Sequence, residues 1–176
     1  MEDTTGHQFQ KPSINGLSKA VLVTGGAGYV GSHTCKFLAK NGFTPVVIDR
    51  DLKTKFKPAE FGPIFDINLP QEIERLEEII KRFNITSCIH FAGSASVAES
   101  VKNPSEYYKN NVIATVVLLD KLIECGVKTF VYSSSAATYG DPGFRKCRES
   151  DVPNPISAYG SSKLMMEMIC KDYLRA

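Results

Sequence analysis

A tyrosine and a lysine four residues apart, in Tyr159-Gly160-Ser161-Ser162-Lys163, are the side chains of this 176-residue sequence best suited to moving a proton. On a helix that spacing puts both on one face, within reach of each other. A phenol is a weak base with an ordinary pKa of about 10, but a neighbouring ammonium favours the phenolate and lowers that value. Any solvated helix face can show the same pair. The segment ahead of it, Val131-Tyr132-Ser133-Ser134-Ser135-Ala136-Ala137-Thr138-Tyr139-Gly140, argues for chemistry. An apolar strand that ends in hydroxyls faces the same cleft and can relay a proton, although serines at strand ends also serve as turn formers.

A second constellation could hold a ligand. The run Thr24-Gly25-Gly26-Ala27-Gly28-Tyr29-Val30-Gly31-Ser32 spaces Gly25, Gly28 and Gly31 as G-x-x-G-x-x-G between an apolar run and a helical stretch. Glycines there allow a tight turn, close approach of backbone amides to a pyrophosphate, and tight packing of helix on strand. The helix N-terminus adds N–H donors and partial positive charge. Asp49 ends the next apolar run, where a dinucleotide site places its ribose-binding carboxylate, and its charge opposes a 2′-phosphate, which favours NAD over NADP. Arg50 beside it reads as a solvated loop residue. Asp66 or the backbone of Ile67 could meet the adenine, or the two could form a surface turn. The small residues of Phe91-Ala92-Gly93-Ser94-Ala95 let backbone approach the second ribose and the nicotinamide. Asparagine is a mediocre helix former, so one of Asn110 and Asn111 is expected to brace that loop from inside a helix.

The elements that must position these groups follow from periodicity. Strands are expected over 20–24, 45–49, 64–66, 86–92 and 129–134, and helices over 29–40, 69–83, 105–124 and from 158 onward. Strands that are almost continuously apolar and alternate with helices imply a doubly wound α/β fold of Rossmann type, a parallel sheet covered on both faces. Ligands bind such sheets beyond the carboxyl ends of the strands, and there the polar motifs fall. Residues 1–18 read as a polar tail, and 19–176 as one dinucleotide-binding domain.

A hydrophobic fraction of 43% with 23% charged residues is that of an ordinary folded domain, and a net charge of +2 with interspersed signs implies neither nucleic acid nor anionic membrane as partner. The five cysteines show no C-x-x-C pair and no ligand cluster with histidine, so free thiols in the cytosol are expected, and no metal site. Residues 1–18 lack the apolar segment of a secretory signal.

Taken together, T-G-G-A-G-Y-V-G-S-H, V-V-I-D, H-F-A-G, N-P-x-x-Y-Y-x-N-N-V, V-Y-S-S-S-A-A-T-Y-G and Y-G-x-S-K resemble the extended short-chain dehydrogenase/reductases from Lys19 onward. Within that superfamily the chain is most similar to the UDP-glucose 4-epimerases of the NAD-dependent epimerase/dehydratase family. Related dehydratases usually carry an acid pair where Ala136 and Ala137 stand here. The resemblance implies that Tyr159 is the base, Lys163 its electrostatic partner and Ser135 the hydroxyl relay. It also implies cofactor contacts at Tyr29, Val30, Asp49, Asp66, Ile67, residues 91–95, Asn110, Tyr159 and Lys163. The activity implied is interconversion of UDP-glucose and UDP-galactose through a 4-keto sugar, with another UDP-sugar (UDP-xylose or UDP-glucuronate) or a non-catalytic NAD-binding module as alternatives. The run S-S-S-A-A-T-Y-G departs from the usual S-S-S-A-T-V-Y-G at Ala137 and Thr138, which bears on substrate preference. Family members continue past the Tyr/Lys helix with the part that grips the uridine diphosphate. The chain is therefore expected to be a fragment of a longer enzyme or an inactive short product, less stable alone than the complete protein. The helix around 116–122 and the final helix could pair with copies of themselves as a homodimer.

Overall fold

The structure, a computed structural model, describes residues 19–50, 52 and 60–176; the expected tail over 1–18 lies outside them. Five strands, β1 (Ala20–Thr24), β2 (Thr44–Asp49), β3 (Ile64–Asp66), β4 (Ser87–His90) and β5 (Thr129–Tyr132), form one parallel sheet in the order β3-β2-β1-β4-β5. The chain leaves β1 toward one edge and returns to its other side with β4, so the strand order reverses between β1 and β4. The carboxyl ends of strands diverge at such a switch point and leave a crevice.

Helices cover both faces because alternate strand residues are apolar on both. On one face Leu22, Val46, Ile48 and Cys88 pack with Leu76, Ile79 and Ile80 of α2 (Arg75–Phe83) and with Leu118 and Leu122 of α5 (Ala114–Glu124). On the other, Val21, Val23 and Val47 pack against Cys35 of α1 (Tyr29–Lys40). The first apolar face ends in polar residues. Along its last rung Ile48 pairs with Thr24, Thr24 with His90 and His90 with Tyr132. Tertiary structure therefore changes from oil to hydrogen-bonding groups at the end of the sheet where the crevice opens.

Several elements depart from the expected bounds. Helix α2 starts at Arg75 rather than 69, because Pro70 has no N–H to give and Glu72 folds its carboxylate back onto the Asn68 amide at 2.9 Å. Strand β4 stops at His90 since the next amides turn to β1, Phe91 N–H donating to the Thr24 carbonyl at 3.0 Å. A short helix not expected from periodicity, α3 (Val97–Lys102), is capped by Ser96, whose hydroxyl accepts the Glu99 amide at 3.2 Å. Ser96-x-x-Glu99 is a legible cap signal. The helix expected over 105–124 is continuous but not uniform, running from α4 (Pro104–Tyr108) through a π-helical turn (Lys109–Ile113) into α5. A 3₁₀ turn (Ala136–Tyr139) precedes α6 (Ala158–Arg175), which starts where Ser157 accepts the Gly160 amide at 3.1 Å. β5 is an edge strand with Val131 half exposed. No described helix is long and apolar enough to cross a membrane.

Gly31 carries the closest packing of α1 on the glycine turn: a Cβ there would lie 2.3 Å from the Gly25 carbonyl oxygen and 2.7 Å from Gly26 Cα. Both are backbone atoms and cannot swing aside. Gly31→Ala is expected to lower the unfolding free energy by about 1–3 kcal/mol. Gly126→Asn, at a φ of +77 with nothing within 4 Å of the added atom, costs less; urea denaturation of the two variants measures the difference.

Candidate active site

A crevice of about 180 Å³ opens at the carboxyl ends of β1, β2 and β4. Gly25 and Gly28 form its floor, Asp49 and Ile67 one wall, and His90, residues 91–93 and Asn110 the other. Gly25 has a φ of +68, and a Cβ on it would lie 2.6 Å from the Ala92 nitrogen, so the turn after β1 and the loop after β4 touch backbone to backbone. No side chain caps the N-terminus of α1, which leaves its first amides for a ligand. Asp49 is buried and holds the turn in shape, one carboxylate oxygen accepting the Ala27 amide at 3.0 Å and the other the Arg50 amide at 2.8 Å. A carboxylate oxygen is an acceptor only, the chemistry that a ribose hydroxyl requires.

Ser135, Tyr159 and Lys163, the side chains suited to proton transfer, do not line this crevice; they lie beyond Gly93 of its wall. Lys163, on the buried face of α6, donates to the Ser133 carbonyl at 2.9 Å; its ammonium sits 4.9 Å from the ring centre of Tyr132 and 5.9 Å from that of Tyr159. Burial pulls its pKa down to about 8. The Tyr159 ring meets the edge of buried Tyr107 at 6.4 Å between centres; the Tyr107 hydroxyl donates to Glu99 and accepts the Ser96 amide, both at 3.1 Å. Ser135 opens the 3₁₀ turn and accepts the Ala137 amide at 3.2 Å. The first turn of α6 is pressed onto that turn, since a Cβ at Gly160 would be 2.4 Å from the Ala137 oxygen. Gly93 joins the two ends of the site, a Cβ there lying 2.9 Å from Asn111 Oδ1 and 4.0 Å from Lys163 Nζ.

Asn111 is the residue that braces the β4 loop. Its oxygen accepts the Ser94 amide at 2.7 Å, and its nitrogen donates to the Ser94 carbonyl at 3.0 Å and to the Ser162 hydroxyl at 3.1 Å. The Ser162 hydroxyl passes its proton on to the Tyr159 carbonyl at 2.7 Å. Asn110, its neighbour in the π turn, donates to the Ser94 hydroxyl at 3.2 Å and lines the crevice.

Not every residue singled out from the sequence lies in the crevice. Tyr29 and Val30 are exposed at the start of α1, and Gly31 is buried inside it. Asp66 is exposed at the end of β3, with its carbonyl taken by Arg75 at 2.9 Å, while Ile67 reaches the wall. Ser94 and Ala95 follow the lining segment 91–93. His90, Tyr107 and Tyr132 belong to the site although their positions read as ordinary strand and helix residues; the signal for His90 was a lone imidazole closing an apolar strand. Among the described residues no three His, Cys, Asp or Glu side chains group to hold a metal ion.

Residues 21–176 match the profile of the NAD dependent epimerase/dehydratase family. A UDP-glucose 4-epimerase of Rhizobium meliloti is 40% identical over 87% of the chain and 46% of its own length. UDP-glucose 4-epimerase 2 of Arabidopsis thaliana is 38% identical over 91% and 49%. Among solved structures, UDP-glucose 4-epimerase from Brucella ovis in complex with NAD superposes with a TM-score of 0.82 at 39% identity, covering 90% of this chain and 49% of that one. The chain spans about half the length of the curated relatives it matches. With the crevice at the β1/β4 switch point, the glycine turn beneath it and the profile match over almost the whole chain, this protein belongs to the NAD dependent epimerase/dehydratase family.

Proposed function

We propose that the crevice binds NAD and that the complete protein interconverts UDP-glucose and UDP-galactose by transient oxidation at sugar carbon 4, residues 19–176 forming its NAD-binding domain. The observation that carries this reading is the placement of Lys163 beside the Tyr159 ring and next to Gly93, which lines a crevice floored by Gly25 and Gly28. The residues fit the group: uncapped amides at the start of α1 suit the pyrophosphate, Asp49 the adenosine ribose, the Asp66–Ile67 segment the adenine, and residues 91–95 with Asn110 the nicotinamide side. Bound there, NAD supplies a reversible hydride acceptor for carbon 4 of the sugar.

Tyr159 would take the proton of the 4-hydroxyl as that carbon is oxidised to a ketone and would return it to the same oxygen when the carbon is reduced from its other face. The sugar is neither oxidised nor reduced overall. Lys163 sets a positive charge beside the Tyr159 ring, and its bond to Ser133 with the Tyr132 face beneath it holds that charge in place. Ser135, at the start of the 3₁₀ turn on which the first turn of α6 rests, offers a hydroxyl that can relay the proton. The names of the relatives support UDP-glucose as substrate, and Ala136 with Ala137 leaves the strand-end turn without the acid pair of a dehydratase.

In the complete protein Tyr159→Phe is expected to lower kcat for UDP-galactose by roughly 10²–10⁴-fold with NAD still bound, measured by coupled assay and by absorbance of the released cofactor. No turnover of UDP-galactose by the unaltered complete protein, beside turnover of another UDP-sugar, would reject this substrate.

Lys163 also sets a pH dependence of stability. Its folded value of about 8 lies below its ordinary 10.5, so between these the unfolded chain binds more protons and stability rises with pH. The burden of the buried charge is fully present below pH 8 and is lifted as pH climbs through 10.5. Lys163→Met is therefore expected to be inactive yet to melt higher than the unaltered chain at neutral pH, with the gap closing in alkaline buffer; thermal unfolding of both at the two pH values checks the sign.

A further inference from the structure

His90 ends β4 buried beneath the crevice, and its two ring nitrogens are used by different elements: Nδ1 lies 2.5 Å from Thr24 Oγ1 of β1, and Nε2 lies 2.9 Å from Thr115 Oγ1 of α5. The direction of these bonds follows from counting protons. Thr115 gives its single hydroxyl proton to the Asn111 carbonyl at 2.8 Å, a group that can only accept. Its oxygen must then receive from His90, so Nε2 carries the hydrogen. On the other side, Thr24 Oγ1 already accepts the Ala92 amide at 3.3 Å. Its own proton is satisfied only if Nδ1 is bare, and an imidazolium would leave that proton buried without an acceptor.

We propose that His90 is a positioning residue for the cofactor crevice, fixed as the Nε2–H tautomer so that it orients the Thr24 hydroxyl to hold the Ala92 amide and sets the spacing between the β1 turn and the β4 loop. The proposal rests on the crevice being an NAD site. The relay runs in one direction on each side of the ring, from Ala92 N–H through Thr24 to Nδ1, and from Nε2 through Thr115 to the Asn111 carbonyl. It thus ends at the residue whose side chain holds Ser94, and both ends of the β4 loop answer to the same imidazole. The surroundings favour a neutral ring. Burial, then the charge of Lys163, push its pKa down to about 3, and the titratable groups facing it among the described residues are the stacked Tyr132 ring of β5 at 5.9 Å and Lys163 of α6 beyond it. Thr24 and Thr115, from β1 and α5, are uncharged.

Two substitutions separate the halves of the relay. His90→Asn keeps an oxygen near Nδ1 that accepts from Thr24 and loses the donor to Thr115; His90→Gln keeps an amide donor near Nε2 and leaves Thr24 without its acceptor. Isothermal titration of NAD into the chain is expected to show His90→Gln binding roughly tenfold more weakly than His90→Asn, with similar melting temperatures. A purely structural role would move both affinities with stability and not with the side that is cut. Nitrogen-15 NMR of the unaltered chain reads the tautomer independently of any variant, with the His90 signals identified by their loss in His90→Asn. Pyrrole-type Nε2 and pyridine-type Nδ1, unchanged across roughly pH 5–8, agree with the relay. The opposite tautomer, protonation within that range, or equal NAD affinities of the two variants beside a binding unaltered chain would each overturn it. Absence of NAD binding by the unaltered chain would instead overturn the cofactor reading itself.

Discussion

One buried side chain holds the working end of this molecule together. Asn111 spends its oxygen and both amide hydrogens on Ser94 and Ser162, and so fastens the loop after β4 to the helix that carries Tyr159 and Lys163. The geometry depends on the π turn at Lys109–Ile113, which brings Asn110 and Asn111 to the same serine. Local π geometry is rare and concentrates where a helix must aim particular side chains. A buried amide with every polar atom satisfied stiffens its surroundings because any displacement leaves a donor or acceptor unpaired in a low dielectric.

The crevice owes its position to a change of chemistry along the strands. Through most of their length β1, β2 and β4 present Leu22, Val46 and Cys88 to α2 and α5, and the core there is close-packed and apolar. At the last rung the same face turns to Thr24, His90 and Tyr132. The polar atoms of Thr24 and His90 are costly to bury without partners, so this part of the core is organised by hydrogen bonds rather than by volume. Tyr132, by contrast, is held through its ring, and its buried hydroxyl has no hydrogen-bond partner among the described residues. The hydroxyls of Thr24 and Thr115 satisfy the imidazole, while the Tyr132 ring receives the Lys163 ammonium on its face. The burial that pulls the Lys163 pKa down also keeps its charge from being screened by water beside Tyr159. In the proposed role, stability and chemistry would pull this lysine in opposite directions.

The turn beneath α6 shows how small residues serve the same end. Ala137 carries a backbone oxygen into the space left by Gly160, which lets the first turn of the helix settle on the 3₁₀ turn that begins at Ser135. Tyr159, next to that glycine, is supported from the other side by the edge of the Tyr107 ring, itself pinned by Glu99 and the Ser96 amide. Short helix α3, capped by Ser96, thus contributes to the setting of a tyrosine far along the chain.

Much of this was legible in the sequence, for identifiable reasons. Apolar runs ending in Thr24, Asp49 and Asp66 marked three strand ends to the residue, and the glycine spacing marked the turn, since a backbone that must pass within contact of another backbone tolerates no other side chain. The four-residue interval put Tyr159 and Lys163 together because a helix repeats on nearly that period. Tertiary structure alone decided which asparagine bears the β4 loop, that the middle of the long helix is a π turn, that Asp66 stands exposed while Ile67 reaches the crevice, and that His90 links three elements. Those outcomes depend on hydrogen bonds between residues such as Thr24 and His90, 66 positions apart. Periodicity reports which face a residue occupies within its own element. It carries no information on which donor from a distant strand or helix arrives opposite it.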